Sequence, residues 1–158
     1  VVILDKREFL VLVLALVVLP LVVLVGCRLQ AGDDPAQDDF HQGRTLVTGG
    51  KYALAIPLLT KFLAEHPQHQ NASRAGLFLG KAHLGLGDYP AARIAFNDTV
   101  KNYPATLEGH KSRYKLALLS LLEGDRDQAL AQFKTLAENP DGSLAPEAAA
   151  MVRYLQAP

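Results

Sequence analysis

The chain has 158 residues, room for one domain and an appendage, and its 16 basic and 16 acidic side chains cancel, so no net field draws it to nucleic acid. A single cysteine excludes an internal disulfide framework and a zinc site built on thiolates. With 12 glycines and 9 prolines the composition lacks the Pro/Gly enrichment of a disordered chain.

A short charged start, Asp5-Lys6-Arg7-Glu8, leads into FLVLVLALVVLPLVVLV, Phe9 to Val25, which contains no polar residue. As a helix this run spans about 26 Å, near the lower limit for crossing a hydrocarbon core. Pro20 removes one backbone hydrogen bond, which a membrane helix tolerates. Leu24-Val25-Gly26-Cys27 resembles the lipobox of bacterial lipoproteins, which implies cleavage before Cys27 and a diacylglycerol on its thiol. Each buried acyl methylene then adds about 0.8 kcal/mol of membrane affinity. The alternative is an uncleaved single transmembrane anchor, because the apolar run exceeds the usual secretory core segment. Both give one topology. Lys6 and Arg7 flank one end, Asp33, Asp34, Asp38 and Asp39 the other, and basic flanks stay inside. The remainder is expected to be membrane-anchored and to face the periplasm.

Residues 28–37 are expected to be an acidic linker, interrupted by Gly32 and Pro35, that holds the following domain off the membrane. The four aspartates Asp33, Asp34, Asp38 and Asp39 lack the glycine and terminal glutamate spacing of a calcium loop.

From residue 38 the chain repeats itself. GGKYALAIPLLTKFLAEHP, GLGDYPAARIAFNDTVKNYP and EGDRDQALAQFKTLAENP align, and their turn glycines Gly50, Gly87 and Gly124 recur every 37 residues. Each glycine closes one helix in a left-handed conformation. A second helix restarts at once, with Asp88 and Asp125 good N-caps and Lys51 a poor one. Ala55, Ala92 and Ala129 allow close helix approach, while Leu59, Phe96 and Phe133, one turn on, share that face. Pro67, Pro104 and Pro140 end the second helices. Upstream, the small residues Gly43, Gly80 and Ala117 hold equivalent places in the first helices. Pro57 is expected to bend the second helix of the first repeat, and Ser143 to Leu155 reads as a closing helix that covers the last apolar face.

This pattern resembles the tetratricopeptide (TPR) repeat, and its spacing is similar to that of bacterial envelope members, among them the Tol-Pal-associated periplasmic TPR protein and TPR lipoproteins. The resemblance implies an all-α helical-hairpin solenoid of three repeats, about 38–67, 73–104 and 110–140, plus a capping helix over 145–156, behind an N-terminal apolar signal or anchor helix. Asp39, Gly76 and Arg113 stand where the family places a large aromatic, with Phe40, Leu77 and Tyr114 one place later; His83 and Ser120 replace a bulky residue, so looser packing is expected there.

Family geometry turns the first helices toward a concave groove. It implies a partner-binding set of Phe40, Arg44, Arg74, Leu77, Phe78, Lys81, Lys111, Tyr114, Lys115 and Leu118, with His41, Val47, Leu84 and Leu121 beside it. Lys111 and Lys115 coincide with basic positions of repeat clamps that hold a peptide's C-terminal carboxylate, but Phe40, Arg44 and Phe78 replace that clamp's other ligands. A basic groove for an extended acidic peptide and an ordinary solvated helix face both remain open.

No nucleophile elbow, phosphate loop or metalloprotease motif is present. His66 and His69 lack a carboxylate or thiol partner and make a poor metal site. The expected role is therefore non-catalytic: a scaffold binding other envelope proteins through the repeats and the bilayer through the N-terminus, with no metal, cofactor or small-molecule substrate.

Overall fold

The computed structural model describes residues 35–139 and 143–157. The apolar run, Cys27, most of the acidic linker and Pro140 lie outside the described residues. Among the described residues seven helices follow one another: α1 (Pro35–Thr48), α2 (Tyr52–Glu65), α3 (Ala72–Gly85), α4 (Tyr89–Asn102), α5 (Leu107–Leu122), α6 (Arg126–Ala137) and α7 (Ala145–Gln156). No strand occurs among the described residues. α1 is described from Pro35 onward, so it takes in residues 35–37 of the segment read as linker. α7 spans the residues expected for the cap.

The three hairpin turns share one mechanism. Gly50, Gly87 and Gly124 have φ of 73°, 76° and 86°, a region that penalises a Cβ. After each glycine the next amide donates back across the turn: Lys51 to Leu46 O at 2.8 Å, Asp88 to His83 O at 3.0 Å, Asp125 to Ser120 O at 2.8 Å. These bonds satisfy carbonyls that the helix end leaves open. The Asp88 side chain accepts from the Ala91 amide at 3.1 Å and that of Asp125 from Gln128 at 3.0 Å, whereas Lys51 offers α2 no side-chain cap. Thr106, overlooked in the sequence, caps α5 by accepting from the Gly109 amide at 3.0 Å.

Each hairpin closes on a small-against-large contact. A Cβ on Gly80 would stand 2.3 Å from the Phe96 ring, and one on Gly43 2.8 Å from Leu59 Cδ2. Leu59, Phe96 and Phe133 are fully buried, as are Ala55, Ala92 and Ala129. α2 packs on α3, α3 on α4, α4 on α5, α5 on α6 and α6 on α7, and α3 also reaches α5. This is sequential stacking, in which each hairpin contacts mainly its neighbours.

The departures from the repeat pattern resolve individually. Ser120 is buried but donates to Leu116 O and Gln128 Oε1, at 3.3 and 2.8 Å, so that position is tied by hydrogen bonds. His83 is half-buried with Nδ1 3.7 Å from Asp88 Oδ2. α2 runs on across Pro57 as one helix, the proline exposed on its surface. Among the described residues no helix is long and apolar enough to cross a membrane.

Candidate partner-binding surface

The repeat spacing brings three rows into register on α1, α3 and α5: Gln37, Arg74 and Lys111; His41, Phe78 and Lys115; Arg44, Lys81 and Leu118. Phe78 occupies the middle. Its ring meets Phe40 edge-on at 6.4 Å between centroids, and the Lys81 ammonium lies 5.0 Å from its centroid, a cation–π distance. Burial pushes the Lys81 ammonium below the usual lysine range, and the charges of Lys115 and then Lys111 push it the same way. Lys81 on α3 thus feels the charge of two lysines on α5. Among the described residues none of them has a carboxylate within 4.0 Å.

The other expected groove residues divide into three kinds. Phe40 and Leu77, 1% and 4% exposed, belong to the core: Phe40 packs against Phe62 at 5.7 Å and Leu77 joins the cluster of Phe96 and Leu119. Their positions turn inward to fill the space beneath the open row, so neither offers a partner its surface. Tyr114 and Leu118 are half-buried against the α6–α7 cluster, with Tyr114 edge-on to Phe133 at 5.2 Å. Burial, and secondarily Glu147, raises the Tyr114 phenol above its usual range. Arg44 is exposed. Arg74 is exposed too, but its Nε lies 3.6 Å from Glu108 Oε1, so much of its charge is already countered. Glu108 went unread because its neighbour comes from the preceding hairpin.

The opposite side of the hairpins carries a second periodic feature. In the first repeat Lys61 and Asp39 close the space between helices with a 2.9 Å ion pair. At the equivalent place in the second, Gly76 lets Thr99 approach, its Oγ1 only 2.3 Å from where a Cβ would be, leaving a cavity of about 160 Å³. In the third, Arg113 stands there and a wider cleft of about 630 Å³ opens beside His110 and Leu136; the guanidinium donates to Pro104 O at 3.0 Å. The paired histidines have structural duties. His69 meets Phe62 edge-on at 5.3 Å and its Nδ1 accepts from the Asn71 amide at 3.1 Å, while His66 lies 5.7 Å from Phe62. Among the described residues no group of three or more His, Cys, Asp or Glu could hold a metal ion.

Residues 40–106 and 111–142 each match a family model described as tetratricopeptide repeat. Together the matches take in the three hairpins. A search of curated proteins returns no match.

Proposed function

We propose that this tetratricopeptide-repeat chain is a non-catalytic scaffold, tethered to a bacterial membrane and facing the periplasm, that serves as an accessory subunit of an envelope complex. Tetratricopeptide repeats mediate protein–protein contact, and the observation that carries the reading here is the half-buried positive charge of Lys81, Lys111 and Lys115 on the stacked first helices, with no carboxylate within 4.0 Å among the described residues. Cations held close together without counter-charges are unfavourable in the free protein; an incoming acidic surface relieves that repulsion. The tether rests on the sequence, on the apolar run to Val25 and the lipobox-like Leu24-Val25-Gly26-Cys27. The length of that run supports a second form of the same role, a single-pass subunit whose uncleaved helix packs into a larger membrane complex.

Two measurements test this. Intact mass of the membrane-extracted protein distinguishes a diacylated chain beginning at Cys27 from one retaining Val1; a soluble chain with neither feature overturns the tether. Crosslinking in intact cells, followed by purification in mild detergent, is expected to yield one envelope protein in fixed stoichiometry. A chain that crosslinks to nothing in the envelope is not its scaffold.

A further inference from the structure

We propose that the cleft between α5 and α6 binds a small organic acid, its carboxylate on the Arg113 guanidinium and its apolar body over Leu116 and Leu136. The cleft belongs to the opposite side of the hairpins, and the inference is independent of the scaffold reading.

The first repeat supplies the template. Positions 39, 76 and 113 fall one period apart on the first helices, and positions 61, 98 and 135 do so on the second helices. In the first repeat these places hold Asp39 and Lys61, which bridge the hairpin with a 2.9 Å ion pair. In the third they hold Arg113 and Thr135. A cation remains, now on the first helix, and its carboxylate is missing. Among the described residues no Asp or Glu lines the cleft, and none lies within 4.0 Å of Arg113.

Arg113 is set to take that carboxylate from outside. Its Nη1 donates to Pro104 O at 3.0 Å and to His110 Nδ1 at 3.4 Å, which holds the guanidinium at the cleft wall. The Nε–Nη2 edge, whose fork matches the two oxygens of a carboxylate, has no acceptor among the described residues. Because a guanidinium only donates, His110 Nδ1 accepts and the neutral ring keeps its proton on Nε2, a further donor in the lining.

The floor is apolar. Leu116 and Leu136 are buried and line a space of about 230 Å³. Arg113, Thr135 and Leu136 also wall the neighbouring cleft of about 630 Å³, a volume typical of small-molecule sites. A bare anion would leave the leucines uncovered, and a hydrocarbon would leave the donors unanswered. A molecule anionic at one end and apolar at the other meets both.

The test titrates the isotopically labelled full chain, in nonionic detergent micelles, with phenylacetate, phenylacetamide and acetate, following the Arg113 Nε–H signal by NMR. Phenylacetate is expected to shift the signal saturably and to bind at least about tenfold more tightly than either of the others. Thr135 is exposed, so its replacement leaves the core untouched. Thr135→Asp offers Arg113 an internal carboxylate across the gap that Asp39 and Lys61 bridge in the first repeat, and is expected to abolish binding. Thr135→Asn, of similar size, is expected to bind as wild type does, with helical circular dichroism retained in both. A shift that does not saturate, phenylacetamide or acetate matching phenylacetate, or the two Thr135 variants behaving alike overturns the proposal. Loss of the crosslinked envelope partner with Thr135→Asp, where phenylacetate does not bind, assigns the cleft to protein docking and overturns it equally. A negative titration with that crosslink intact leaves the scaffold reading standing without this site.

Discussion

Lys81 holds its ammonium 5.0 Å from the Phe78 ring centroid, on the same helix and one turn away, with Lys115 and Lys111 near enough to lower its proton affinity. Such an arrangement weakens the free protein and strengthens a complex with an anion. Below both its folded and unfolded pKa values Lys81 is charged in either state, and only the folded state bears the burial and repulsion. Stability is therefore gained as pH rises through the lowered folded value toward 10.5, the value expected of the unfolded chain. Lys81→Met is expected to raise Tm at neutral pH, and the difference from wild type is expected to fade toward pH 10.5. Thermal melts across an alkaline series check this; a variant less stable than wild type at neutral pH contradicts it.

Glu108 restrains Arg74 through the 3.6 Å contact. Glu108→Gln frees that guanidinium at the edge of the basic face. With Arg74 mostly exposed, the ion pair contributes about 0.2–1 kcal/mol to stability at most. The expected outcome is a small fall in Tm that shrinks at high salt, read by thermal melts at low and high salt.

Gly80 and Gly43 look alike in sequence, and each faces a fully buried side chain. Alanine in a helix interior gains about 1 kcal/mol over glycine. At Gly80 the new methyl would enter the fully buried Phe96 ring at 2.3 Å, an overpacking that costs about 1–3 kcal/mol or more. At Gly43 it meets Leu59 Cδ2 at 2.8 Å and Cγ at 2.9 Å, in a side chain that is also fully buried. Both Gly80→Ala and Gly43→Ala are expected to destabilise in chemical denaturation, Gly80→Ala the more, because its contact is closer and with a rigid ring.

Lys51 shares its backbone geometry with two working caps. Its φ and ψ are −88° and 57°, against −81° and 76° at Asp88 and −87° and 77° at Asp125. Lys51→Asp is expected to place a carboxylate on the open amides of α2 and add about 1 kcal/mol. Asp125→Ala is expected to remove a similar amount. Equilibrium unfolding of both variants measures the pair, and equal stability of Lys51→Asp and wild type refutes the capping account.

Much of the fold was legible from residues 38 to 156. The turn glycines, the small-to-large spacing and the closing helix are local or periodic signals, and a periodic chain repeats its own evidence. α5 began earlier than expected because Thr106 caps its first turn, and at a helix start a single side chain decides the boundary. The surface was less legible. Phe40 and Leu77 carry the right register for the first helices, yet one step in register is about 100° of rotation, enough to turn a groove residue into a core residue.

What the sequence by itself determined is the hairpin unit and its period, since a left-handed glycine, a capping aspartate and a small residue facing a large one act within one repeat. What only the tertiary structure decided is which charges stay open. Arg74 is countered by Glu108 and Lys61 by Asp39, partners on other helices, while Lys81, Lys111 and Lys115 are drawn together by the stacking of α3 beside α5. Electrostatic character depends on distances between helices, and those are set by packing that no single repeat contains.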